Sequence, residues 1–118
     1  MLAQYLDLTD QYNTNETEGG NVIVFEVSNY DYCVIQSIGV AVDIKATIDG
    51  GAIEGVQDDS PTTATNFTTI GGTKLIDGVF TTTATNNSPV RLAVVGRYIK
   101  LTGSGPATKL LIMLAKIG

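Results

Sequence analysis

Leu110-Leu111-Ile112-Met113-Leu114-Ala115 constrains this chain more than any other segment. It follows Gly105-Pro106 and closes a chain whose other segments carry β patterning. A strand points successive side chains to opposite faces. Leu110, Ile112 and Leu114 then share one face, and Leu111, Met113 and Ala115 the other. One face can fill a core. The second must also be shielded from water, by another layer or another subunit. A short buried helix is the competing reading. The Gly-Pro before the run and the β pattern around it favour a strand.

Upstream, Val22 to Val27 places Ile23, Phe25 and Val27 on one face, and Tyr32 to Ile38 reads as the next strand. Val40 to Ile48 alternates most cleanly, with Val40, Val42, Ile44, Ala46 and Ile48 inward and Asp43, Lys45 and Thr47 outward. Asp49-Gly50-Gly51 is expected to turn this strand into a short returning one, Ala52 to Val56. Phe67 to Ile70, Lys74 to Ile76, Val90 to Val95, Arg97 to Thr102 and Ala107 to Ile117 complete the strand candidates, parted by Gly-, Asn-, Asp- and Pro-containing turns. Thr62-Thr63-Ala64-Thr65-Asn66 recurs as Thr82-Thr83-Ala84-Thr85-Asn86. One pentamer match does not define a repeat array.

The pattern predicts an all-β chain: an antiparallel β-sandwich, jelly-roll or Ig-like, of about eight strands. Residues 21–118 form the sandwich domain. Residues 1–20 read as an extended N-terminal arm or edge segment, with Tyr5, Leu6 and Leu8 followed by a polar, unpatterned stretch. A frayed terminus is the plainer alternative.

The 118 residues suit one domain with its own core. Charged residues are 16% of the chain, a low-charge, Thr-rich composition that suits a surface covered by neighbours. The formal net charge of -5, with seven scattered Lys and Arg, argues against nucleic-acid binding. No apolar run approaches the length of a membrane span. Met1-Leu2-Ala3-Gln4 lacks the basic region of a signal peptide, so synthesis in a host cytoplasm is expected, and the N-x-S/T matches at Asn15, Asn66 and Asn86 read as accidents of composition.

The second half resembles small β-sandwich virion proteins of tailed bacteriophages. The resemblance rests on Asp77-Gly78-Val79-Phe80-Thr81, then Arg97-Tyr98-Ile99-Lys100-Leu101, then Gly103-Ser104-Gly105 leading into the long apolar last strand. Ile48-Asp49-Gly50-Gly51-Ala52 fits the same pattern, and the likeness spans roughly residues 22–118. It implies a virion location and a structural role: capsid decoration, head fibre or tail component. Implied partners are copies of the chain itself and other virion proteins, such as a major capsid or tail protein. The sandwich also resembles carbohydrate-binding modules, although it has no Trp. A glycan-binding adhesion module is therefore the alternative function, with Tyr30 and Tyr32 as its platform.

Chemistry is sparsely represented. With no His, neither Ser-His nor Cys-His catalysis can be assembled, and Cys33 reads as a small buried hydrophobe. Zinc lacks ligands, and Asp58-Asp59-Ser60 lacks the spaced ladder of a calcium loop. The sharpest carboxylate pair is Asp43 with Glu54, across the expected Asp49-Gly50-Gly51 hairpin. Both read as solvated surface groups. No enzyme activity, metal or cofactor is expected. The candidate interface residues are Tyr5, Leu6, Leu8, Tyr12, Leu111 and Met113.

Overall fold

Apolar alternation along the strands builds two antiparallel sheets whose inner faces meet in one core. The architecture comes from a computed structural model. It describes residues 2–15, 20–53, 56–57, 60–85, 87–93 and 96–117.

The first sheet uses β1 (Leu2–Asp7), β3 (Tyr32–Ile38), β8 (Gly72–Lys74), β9 (Phe80–Thr81), β11 (Val90–Ala93) and β13 (Lys109–Lys116). Their spatial order is β1-β13-β3-β11-β8-β9. The second uses β2 (Val22–Glu26), β4 (Val42–Thr47), β10 (Thr83–Ala84) and β12 (Tyr98–Gly103), in the order β10-β4-β12-β2. β7 (Thr68–Thr69) also pairs with β4. β5 (Ala52–Ile53) and β6 (Val56–Gln57) make a small separate ribbon, and α1 (Thr9–Asn13) is a single short helix. The all-β antiparallel sandwich expected from the patterning is thus the fold. The strands beyond the expected number include two-residue pieces, β7, β9 and β10. Pieces that short carry no periodicity to read.

Register sets which side chains reach the core. Ile112 lies opposite Ile35, and Leu114 opposite Cys33, in the β13–β3 ladder. In the facing sheet, Ile99 pairs with both Ala46 and Phe25, and Leu101 with Ile44. These residues form one cluster with Leu92, Val90, Leu110 and Val42. Ser37 is the polar residue on this inner face; it satisfies its hydroxyl by donating to Val40 O at 2.7 Å.

Three expectations meet the structure in different ways. First, of the two readings of residues 1–20, arm or edge segment, the described part, 2–15, takes the edge position and is built into the sandwich. β1 pairs with β13 along its whole length, from Leu2↔Lys116 to Asp7↔Leu111. Tyr12 is fully buried, and its hydroxyl donates to Gly105 O at 2.8 Å. A Cβ on Gly103 would collide with that hydroxyl, so the glycine makes room for the docked ring. Asn13 fastens the same helix by a reciprocal pair, Nδ2 to Ala107 O and Ala107 N to Oδ1. Such long-range docking leaves no periodic trace in a polar segment.

Second, Asp49-Gly50-Gly51 does not fold a strand back onto β4. Ala52–Ile53 pairs with Val56–Gln57 instead, while β4 is flanked by β12, β10 and β7. Asp49 Oδ1 accepts from Gly51 N at 2.9 Å and turns the chain toward the 60–66 loop. There Gly51, at φ +82, lies so close to Thr63 O that no side chain fits. The alternation also breaks at the end of β4. Thr47 is buried, donating its hydroxyl to Thr65 O, and Ile48 is 73% exposed.

Third, Lys74–Ile76 is not a strand. β8 ends at Lys74, and Leu75–Asp77 form a turn in which Gly78 N donates to Lys74 O. The two Thr pentamers also diverge. Thr83–Ala84 is strand and Ala84 is buried, whereas 62–66 is turn and loop, so their likeness is not a structural repeat. Asn86 lies outside the described residues.

The Tyr12 anchor predicts a graded response. Tyr12→Phe removes one hydrogen bond and is expected to cost about 1 kcal/mol. Tyr12→Ala also opens a cavity and is expected to cost about 3 to 5 kcal/mol. Urea unfolding with an unchanged slope checks both values. Equal losses for the two variants would show that the ring contributes nothing to the core.

Candidate functional site

The outer face of the first sheet carries an apolar strip that no described residue covers. It follows from the same alternation that builds the core. Leu110, Ile112 and Leu114 are buried inward, so Leu111 and Met113 must face outward, where they are half-buried. Met113 lies between Tyr5 and Val34, and Leu111 between Asp7 and Gln36. Side chains directly opposite in an antiparallel ladder share a face. Tyr5, Leu111, Met113 and Val34 therefore form one apolar strip across three strands. With Leu75 they line an open groove of about 550 Å³. Its rim carries Gln36 and Asp7.

Asp7 is tied down rather than available. The Thr9 hydroxyl, then the Thr9 amide and Lys109, hold its carboxyl below the usual carboxylate range. Lys109 Nζ stands 3.3 Å from Asp7 Oδ2. An ion pair this exposed fixes geometry more than it stabilises.

The β8–β9 hairpin extends the apolar surface from Leu75. Leu75, Ile76, Val79 and Phe80 are all exposed, Ile76 at 79% and Phe80 at 68%. Main-chain bonds from Lys74 N to Val79 O and from Leu75 N to Pro89 O hold the tip in place. Asp77 Oδ1 accepts from Val79 N, and Lys74 pairs with Asp77 at 3.5 Å. These four residues were not among the sequence candidates. Their signal is Leu75-Ile76-Asp77-Gly78-Val79-Phe80, an Asp-Gly turn flanked by unbroken apolar pairs. Such a turn leaves its flanks at a hairpin tip, where no core can reach them.

The six interface candidates separate. Tyr5, Leu111 and Met113 converge on the groove. Leu6 lines it from below but packs against the core, as does Leu8. Tyr12 is the core anchor described above and is withdrawn from the surface.

The opposite sheet presents a different outer face. Lys45 lies opposite Lys100, with Asp43 and Glu26 further along the ladders. The 60–67 loop approaches it, placing Phe67 under Lys100 Nζ at 5.4 Å. Asymmetry between the two outer faces thus distinguishes the apolar one.

Tyr30 and Tyr32 do not share a platform. Tyr30 packs against the core and donates its hydroxyl to Gln4 Oε1 at 2.6 Å. Tyr32 lies on the outer face with Arg91 stacked 4.3 Å from its ring centroid. That guanidinium occupies a face a sugar would need.

The chemical candidates are dispersed. Asp43 accepts from the Thr83 hydroxyl at 3.0 Å at the sheet edge. The hairpin that was to bring Glu54 to it is not formed, and Glu54, Asp58 and Asp59 lie outside the described residues. Burial pushes the Cys33 thiol from its ordinary value up to about 12. No helix among the described residues is long and apolar enough to cross a membrane.

No protein-family model and no curated protein matches the sequence. By fold, the chain belongs with antiparallel β-sandwiches, and a solved structure shares its architecture. It is similar to the crystal structure of SPBc2 prophage-derived protein YomS, with a TM-score of 0.58 and 10% sequence identity. The likeness covers 97% of this chain and 95% of that one. It therefore includes the N-terminal segment as well as the sandwich.

Two outcomes follow from this geometry. Leu114→Asp puts a charge into the core and is expected to abolish folding, whereas Met113→Asp on the same strand is expected to leave a folded chain. Far-UV and near-UV circular dichroism distinguish them; equal damage from both would refute the facing assignment. The Cys33 thiol is expected to resist a thiol reagent at pH 8 in the native state and to react fully on unfolding. The folded thiol keeps its proton where the unfolded one has lost it. Its contribution to stability is whole below about pH 9 and falls as pH rises toward 12.

Proposed function

We propose that this chain is a structural component of a bacteriophage virion, acting through subunit contacts as a capsid decoration protein or another head- or tail-associated assembly protein. The observation that carries the reading is the bare apolar strip of Tyr5, Val34, Leu111 and Met113, continued by the Leu75–Phe80 hairpin. A free monomer gains nothing from exposing these side chains, and contiguous apolar surface of this kind marks interaction sites. Burying it against a neighbour removes it from water at about 25 cal/mol per Å². The fold shared with a prophage-derived protein supports the phage setting. The resemblance of the second half to phage virion sandwiches points the same way.

In this proposal the chain works by contact and carries no reaction. The buried, protonated thiol supports this, as do carboxylates already engaged by their neighbours. Asp49, for instance, is held below its usual range by Gly51 N–H and the Asn66 amide. The glycan-binding alternative loses support because Arg91 covers the Tyr32 ring and Tyr30 packs against the core with its hydroxyl engaged by Gln4.

The test is whether the chain travels with particles. Gradient-purified virions from a host carrying the gene are expected to contain it by mass spectrometry. Variants Leu111→Asp and Met113→Asp are expected to fold but to be lost from those particles. Recovery of the parent solely in the particle-free fraction would refute the virion role.

A further inference from the structure

The strand β1 forms an outer edge of the first sheet, and no strand among the described residues pairs with its free side. It runs six residues, LAQYLD, with no Pro, no Lys and no Arg. Sheet edges are usually shortened, charged, kinked or covered, because their free main-chain groups template another strand. The other edges obey that rule. β9, β10 and β7 are two residues long. β2 has α1 packed against it, and its Val22 C=O accepts from the Asn15 side chain.

The ladder fixes which groups of β1 point outward. Leu8 N donates to Leu110 O, so Leu8 is paired inward, toward β13. Antiparallel ladders alternate strictly between inward and outward residues. With the register Leu6↔Ile112 and Gln4↔Leu114, the inward residues are Gln4 and Leu6. The N–H and C=O of Ala3, Tyr5 and Asp7 therefore face away from the sheet.

We infer that β1 pairs antiparallel with β1 of a second copy of this chain, about a two-fold axis at Tyr5. The inference rests on the assembly reading above and names its partner. Outward residues can bond only to outward residues. Centring on Tyr5 matches Tyr5 with Tyr5 and Ala3 with Asp7, using every outward group of Ala3, Tyr5 and Asp7 on both copies. The register is also suited electrostatically. Asp7 is the only charged residue on the strand, and it falls opposite Ala3 of the second copy rather than opposite another Asp7. The two Tyr5 rings, each 75% exposed, meet on the axis as a cross-strand aromatic pair. A two-fold perpendicular to the sheet keeps both apolar strips on the same side. The grooves then join into one continuous apolar floor across a doubled sheet, and the pair is self-complementary and closed.

The test separates main-chain pairing from the apolar face. Light scattering on the full chain is expected to give twice the 12.4 kDa protomer mass. Tyr5→Pro removes an outward N–H at an edge position, where proline is tolerated and the β13 ladder is untouched. It is expected to weaken dimerisation about tenfold or more while the circular dichroism stays native. Tyr5→Thr loses the ring but keeps the N–H, and is expected to dimerise more tightly than Tyr5→Pro. Tyr5→Cys is expected to form a disulfide-linked dimer under mild oxidation, because directly opposed residues lie within disulfide range. Ala3→Cys alone is expected not to, being opposite Asp7. A parent that is monomeric at all concentrations overturns the inference, assigning the edge to a strand of another protein. So does a Tyr5→Pro variant that dimerises as the parent does with no Tyr5→Cys cross-link. In either case the virion reading stands or falls separately, on recovery of the chain from purified particles.

Discussion

Strand β13 carries the structure because it is flanked on both sides and apolar on both faces. Its ladder with β3 runs from Lys109↔Ile38 to Ala115↔Tyr32, and its ladder with β1 takes up the opposite edge. The inward residues Leu110, Ile112 and Leu114 meet the second sheet. The outward residues Leu111 and Met113 have Tyr5, Asp7, Val34 and Gln36 beside them. Everything distinctive about the molecule follows from that imbalance. A strand with a polar outer face would have left no apolar groove beside it.

The N-terminal segment completes the same unit. β1 covers the free edge of β13, and α1 then plugs Tyr12 into the end of the sandwich beside Gly103. The edge problem is moved outward by this addition, not removed. The exposed main-chain groups of β13 become exposed groups of β1, on a strand too short of charge to repel another. An antiparallel sheet of finite width must end somewhere. Here it ends on a strand whose composition suits continuation.

The two outer faces share a pleat but not a chemistry. On the second sheet, Lys45, Lys100, Asp43 and Glu26 take outward positions beside Val24 and Tyr98, and Lys100 lies over the Phe67 ring. On the first, the outward positions pass from Tyr5 through Met113 to Val34, with Arg91 stacked on Tyr32 beyond them. The uncovered apolar strip therefore lies on one side of the sandwich.

The alternating strands and the two-faced last strand were legible in the sequence. Period-two alternation acts through nearest neighbours and needs no knowledge of the rest of the chain. That is why the sandwich and the division of the last strand into Leu110, Ile112 and Leu114 on one face and Leu111 and Met113 on the other could be read from the residues, while the packed fold decided which set faces in. The tertiary structure decided what depends on contacts between distant residues. Tyr12, in a polar stretch, became a core residue because Gly103 leaves room for its ring and Gly105 O takes its hydroxyl, across more than ninety positions. Ile48 left the core when Thr47 found Thr65 as a hydrogen-bond partner and broke the alternation. Leu75, Ile76, Val79 and Phe80 became surface because their turn lies at a hairpin tip beyond the reach of the second sheet. Local pattern determines which side chains share a face. Only the packed fold determines whether anything is there to meet them.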